Sequence, residues 1–134
     1  RQNDRLIVLV TVGNVNAVYR EIALLDLLPA GLEIEGVLPE DNAYKFLPAL
    51  SKVSTAEARD DRFFAAFTLG RRFADQTFRF WYNNEENRSA VQLAYIVRAV
   101  TPGSYALPAV QAEDMYDPET VARGAPGRLT VLPR

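Results

Sequence analysis

Any chemistry carried by this sequence would have to come from carboxylates. None of its 134 residues is cysteine or histidine. That removes Cys and His nucleophiles, the Ser-His-Asp triad and nearly all zinc sites at once. Acidic residues do come in groups: Asp60 with Asp61, Glu85 with Glu86, and Glu113, Asp114 and Asp117. Facing carboxylates can perform acid–base work on a glycosidic bond, or hold calcium. None of these groups has the Asp-x-Asp-x-Asp-Gly spacing of a calcium loop, and no Gly-x-Ser-x-Gly nucleophile elbow occurs. The commoner use of such acidic groups is in solvated turns. The residues therefore imply no catalytic residue, no metal ligand and no cofactor.

Two other clusters have the chemistry of recognition. Phe78, Phe80, Trp81 and Tyr82 alternate along one short stretch. Phe78, Phe80 and Tyr82 would then fill a core, while Trp81, on the opposite face, is the candidate for exposure or an interface. The second cluster is Met115 and Tyr116, side by side in a stretch from Pro108 to Pro126 that shows no two-residue alternation and has several turn formers. A flexible polar linker would not carry that pair. Either it folds back as a small satellite core, or it forms an apolar tip offered to another surface. The triplet Asn87-Arg88-Ser89 matches a glycosylation sequon, a pattern that also arises often by chance.

The elements that must position these residues are strands. Arg5 to Val12 is a β-branched run rich enough in Val and Ile to be buried on both faces. Ile22 to Leu28 is a second apolar run, ended by the turn formers Pro29-Ala30-Gly31. Leu32 to Glu35 alternates, with Leu32 and Ile34 inward and the glutamates outward. Arg62 to Leu69 places Phe63, Ala65, Phe67 and Leu69 on one face, after an Asp60-Asp61 turn. Thr77 to Tyr82, Val91 to Val100, Tyr105 to Leu107 and Leu129 to Leu132 complete the set, with Pro102 stopping the longest of them. Pro39-Glu40-Asp41-Asn42 followed by Ala43, Tyr44 and Leu47 allows at most one short helix before Pro48. Roughly seven or eight short strands punctuated by Pro, Gly and Asx turns predict an all-β antiparallel sandwich. Its core should include Phe63, Phe67, Phe78, Phe80, Tyr95 and Val97.

A chain of 134 residues that is 49% hydrophobic builds one domain with a core large enough to need no staple. The formal charge of −2 leaves no basic excess to draw it to phosphates, so nucleic acid is not an expected partner. No run reaches the roughly 18–20 apolar residues that span a bilayer. The start at Arg1, straight into an apolar run, suggests a piece of a longer protein.

Several strings carry a resemblance. Arg98-Ala99-Val100-Thr101-Pro102-Gly103, Leu107-Pro108, Gln111-Ala112-Glu113-Asp114-Met115-Tyr116 and Asp117-Pro118-Glu119 together resemble the end of bacterial α-2-macroglobulins. Leu27 to Glu35 and Arg59 to Phe63 are similar to earlier signatures of the same terminal domain. The resemblance implies that residues 1–134 are the carboxy-terminal, tenth macroglobulin-type sandwich of a large periplasmic protease trap, anchored as a lipoprotein. In that family a separate helical domain carries an internal thioester, and cleavage of a bait region by a protease frees it to capture the attacker. The resemblance further implies that a loop bearing Met115 and Tyr116 lies over the thioester, with Glu113, Asp114 and Asp117 keeping the tip soluble and available to an interface. Its partners would be the thioester-carrying domain, other macroglobulin domains, target proteases through the whole protein, and a peptidoglycan synthase. The domain itself would catalyse nothing. The rival reading is an extracytoplasmic sandwich that binds sugar or peptide through Trp81 and its aromatic neighbours. A carboxylate-only glycosidase is a more distant one.

Overall fold

In the computed structural model, described for residues 1–13, 18–70 and 88–134, all regular structure is β. The strands are β1 (Arg5–Gly13), β2 (Arg20–Leu27), β3 (Leu32–Val37), β4 (Thr55–Arg59), β5 (Arg62–Leu69), β6 (Ala90–Ala99), β7 (Gly103–Leu107), β8 (Gln111–Asp114), β9 (Val121–Arg123) and β10 (Gly127–Val131). They form a three-stranded sheet in the order β1-β6-β3, a five-stranded sheet β4-β5-β2-β8-β9, and a two-stranded ribbon β10-β7. Every pairing is antiparallel. This is the expected sandwich class.

The period of two places the core. On β5, Phe63, Ala65, Phe67 and Leu69 are buried while Arg62, Phe64, Ala66 and Thr68 are only partly so. Ile22 and Leu24 of β2 and Ala112 of β8 continue that face, because Leu24 pairs with Ala65 on one side and Ala112 on the other. Val91, Leu93, Tyr95 and Val97 of β6 and Val10 of β1 close it from the three-stranded sheet. The rings of Phe63 and Tyr95 stack across the two sheets at 4.7 Å, 21° from parallel. Of the expected core, Phe63, Phe67, Tyr95 and Val97 are buried. Phe78 and Phe80, with the strand Thr77 to Tyr82, lie outside the described residues.

Three features differ from the sequence reading, and one stays within it. The first strand is not buried on both faces. β1 pairs with β6 on one side, only Val10 is buried, and Leu6 and Leu9 are more than 40% exposed. Its apolar composition therefore exceeds what its burial needs. The segment after β3 makes turns and no helix, within the expectation of at most one: Asn42 Nδ2 donates to the Pro39 carbonyl at 2.9 Å, and the Tyr44 amide donates to Asn42 Oδ1 at 2.9 Å. Asparagine here bonds its own backbone in competition with helix. β4, an edge strand whose alternating apolar positions hold only Ala56 and Ala58, was not foreseen. Nor were β8 and β9, in the stretch read as irregular.

The outward glutamates of β3 are paired across the sheet: Glu33 with Arg98 at 3.2 Å, and Glu35 with Arg5 at 2.8 Å. Such pairs on a solvated face fix register more than they add stability.

Candidate functional site

The site begins with the register between β2 and β8. Ile22 lies opposite Asp114 and Leu24 opposite Ala112, so Asp114 occupies an inward-facing position at the end of its strand. It is 6% exposed. A carboxylate there has to find partners, since a buried charge is costly unless paired. It finds them in two directions. Oδ1 accepts the backbone amides of Tyr116 at 2.9 Å and Asp117 at 3.2 Å. Oδ2 accepts from Arg20 Nη1, at the start of β2, at 3.0 Å. The amide of Tyr116 first, with Arg20 and the amide of Asp117 behind it, holds the Asp114 carboxyl below the usual carboxylate range against the opposing effect of burial.

The turn above is closed by its own bonds. Asp114 N donates to the Thr120 carbonyl at 3.0 Å, and Thr120 N to the Asp117 carbonyl at 2.9 Å. The Thr120 hydroxyl donates to Asp117 Oδ2 at 2.7 Å and accepts from Arg20 Nη1 at 3.3 Å. Met115 N reaches the Glu21 carbonyl at 2.9 Å, extending the ladder to β2 by one bond. With the backbone tied on both sides, the two apolar side chains have nowhere inward to go. Met115 is 43% exposed and Tyr116 81%. They do not make a satellite core. They form an exposed apolar tip on a fixed turn.

The remaining sequence candidates separate. Glu113 is partly buried on β8, and Asp117 is exposed at the turn, 4.0 Å from Arg20. Glu113 and Asp117 flank the tip in sequence, but Asp114 is not among the exposed charges. It is turned inward beneath the tip, because its register opposite Ile22 puts its side chain on the buried face of β8. Asp60 and Asp61 form the β4–β5 turn, where Asp61 pairs with Arg62 at 2.8 Å in the open. Trp81, Glu85, Glu86 and the sequon asparagine Asn87 lie outside the described residues. Among the described residues no three acidic side chains are placed to hold a metal ion.

Sequence reasoning missed two residues. Arg20 gave no signal, because an arginine before an apolar run reads as a strand end. Asp26 interrupts the run Ala23-Leu24-Leu25-Asp26-Leu27-Leu28, and that interruption was a usable one. It is 8% exposed, beside Phe63 on the core face of β2, and accepts the Tyr95 hydroxyl at 2.6 Å. Burial raises its carboxyl above the ordinary range, opposed by that hydrogen bond. Burial also raises Tyr95, reinforced by Asp26. The pair ties β2 to β6 across the sandwich.

Comparison with known proteins bears on the family and the fold. Residues 1–119 match the family described as the bacterial alpha-2-macroglobulin MG10 domain. The chain is 31% identical to the alpha-2-macroglobulin of Escherichia coli K12, over 98% of this chain and 8% of that protein. It is 40% identical to that of Xylella fastidiosa Temecula1, over 81% of this chain and 6% of that one. Among solved structures it is similar to Salmonella alpha-2-macroglobulin reacted with methylamine, with a TM-score of 0.73 and 32% identity, over 98% of this chain and 8% of that one. It is also similar to Escherichia coli alpha-2-macroglobulin activated by porcine elastase, with a TM-score of 0.74 and 32% identity, over 99% of this chain and 11% of that one. The chain thus spans under a tenth of the length of these curated relatives. It belongs to the bacterial alpha-2-macroglobulin MG10 domain family.

Proposed function

We propose that this chain is a non-catalytic module of a periplasmic protease trap, and that its Met115–Tyr116 tip covers the reactive thioester of a neighbouring helical domain. One observation supports this above the rest: the most exposed large apolar side chain of the described residues, Tyr116, stands on a turn where the amides of residues 114 to 117 and of Thr120 are all hydrogen-bonded. In a free-standing domain an exposed ring, like that of Phe46, is ordinary. A lid for another surface gains a great deal, because a pre-ordered contact does not lose loop entropy on docking.

The chemistry asks for this kind of lid. A thioester is lost to water or stray amines unless it is kept dry until needed. Tyr116 supplies a flat apolar cover with one hydrogen-bonding end, and Met115 a side chain that fills irregular gaps. A tip carried by one turn can also withdraw when the molecule rearranges. The Salmonella relative that reacts with methylamine and the Escherichia coli relative activated by elastase favour the same reading for the longer protein. Proteases, the thioester-bearing domain and the other macroglobulin domains are its proposed partners.

The test uses the full-length protein carrying wild-type tip, Tyr116→Ala or Tyr116→Phe, with free thiol followed over time in methylamine before any protease is added. Tyr116→Ala should release thiol early. Tyr116→Phe should stay close to wild type if water exclusion by the ring dominates, and follow Tyr116→Ala if the hydroxyl's hydrogen bond holds the tip down. Equal release in all three would overturn the shielding reading.

A further inference from the structure

We propose that Asp114 and Arg20 are positioning residues that set the Met115–Tyr116 tip in its presenting conformation before it meets any partner, an inference that rests on the shielding function proposed above for the tip itself. The geometry is that of a clasp with two jaws. One oxygen of Asp114 holds the amides of Tyr116 and Asp117, which fixes the backbone from which the Tyr116 ring projects. The other oxygen is held by Arg20, on a different strand. Arg20 also donates to Thr120, whose hydroxyl donates to Asp117. The turn is therefore gripped at both ends, 114 and 120, by one guanidinium.

Two details separate a positioning device from an ordinary buried ion pair. First, Asp114 takes an inward position that an apolar residue would fill to greater benefit for the core, since hydrophobic replacement of buried charge is often neutral or stabilising. Its two amide bonds order the turn, and its bond to Arg20 ties that turn to β2. Second, Arg20 sits where β2 begins, next to the Glu21 carbonyl that receives Met115 N. The tip is therefore referenced to β2, the central strand of the five-stranded sheet, and not to its own hairpin alone. A shift of the β2 start relative to β8 would open the Arg20 jaw and break the Met115 amide bond to the Glu21 carbonyl, leaving the turn held only by its own bonds. The clasp is in this sense the release point of the lid.

The experiment has two arms. On the chain itself, amide hydrogen exchange is read at Tyr116 and Asp117 in wild type, Asp114→Ala, Asp114→Asn, Arg20→Gln and Arg20→Lys. Asp114→Ala should speed exchange at those two amides by about tenfold or more, roughly the loss of one charge-assisted hydrogen bond each. Exchange at Tyr95 and Val97 should not change. Asp114→Asn, which keeps the accepting oxygen, and Arg20→Lys, which keeps the charge, should recover part of the protection. In the full-length protein, Asp114→Ala should hasten thiol release in methylamine, and Asp114→Ala combined with Tyr116→Ala should release no faster than Tyr116→Ala alone. That non-additivity is expected only if Asp114 acts through the tip. Unchanged exchange at the two amides, or additive release rates, would overturn the clasp. If Tyr116→Ala leaves release unchanged while exchange responds as described, the shielding reading fails and the clasp stands as the device that shapes the tip.

Discussion

Asp26 and Asp114 are two buried carboxylates on the same face of the same sheet, on paired strands, with nearly equal exposure of 8% and 6%. They do opposite things. Asp26 has one neutral partner, the Tyr95 hydroxyl from the facing sheet, and its carboxyl is raised by burial. Asp114 has two amides and a guanidinium from its own sheet and turn, and its carboxyl is lowered. Burial alone does not say what an acidic residue is for. Asp26 closes the sandwich across its middle, whereas Asp114 spends its bonds on a turn that faces away from the core. The same division separates the two regions: Phe63 is fully buried and stacked on Tyr95, whereas Met115 and Tyr116, next to Asp114, are exposed.

That division predicts a graded series of effects. The largest should come from Phe63→Ala, which empties the position stacked on Tyr95 in a fully buried site and should cost about 3–5 kcal/mol. Urea denaturation would show it, and a midpoint that barely moves would place the true core elsewhere.

The next effect concerns sign. Because Asp26 binds its proton more tightly folded than unfolded, its stabilising contribution is fully present only below its unfolded value and declines as pH rises through its raised folded value. Asp114 is the reverse: it stabilises above its unfolded value and loses that contribution as pH falls through its lowered folded value. Asp26→Asn should therefore remove a component of stability that weakens with rising pH, and change neutral-pH stability by only about 1 kcal/mol, since the amide oxygen still accepts from Tyr95. Denaturation midpoints from mildly acidic to neutral pH check this. Parallel curves for wild type and variant would put the two aspartates on the same footing.

The smallest effect should be Tyr116→Ala, within about 0.5 kcal/mol of wild type in the isolated chain, as for surface positions that fill no core. A loss of more than about 2 kcal/mol would mean the ring is part of the fold after all.

The pattern in the sequence was readable where side chains alternate by polarity, and unreadable where a strand breaks that code. β5 was legible to the residue, because Phe63, Ala65, Phe67 and Leu69 alternate with less buried neighbours. β8 alternates just as regularly, partly buried then buried, but its inward positions hold Ala112 and Asp114, so a reading by hydrophobicity sees no period. β9 is three residues long and wholly exposed, leaving no apolar face to detect. β1 failed the other way: its valines and leucines suggest two buried faces, and it has one neighbour strand among the described residues. As for the site, Met115 and Tyr116 stood out as an apolar pair among turn formers, whereas Arg20 is ninety-four positions away from the Asp114 it grips. No local pattern carries a contact of that range.

The central claim is that Tyr116 is placed for a surface outside this domain. The most direct measurement replaces Tyr116 with a photoreactive phenylalanine analogue in the full-length protein, irradiates it before any protease is added, and maps the cross-linked peptide. The account predicts a cross-link into the thioester-bearing helical domain, lost once the molecule has been cleaved and rearranged. A cross-link confined to residues 1–134, or one unchanged by cleavage, would contradict it.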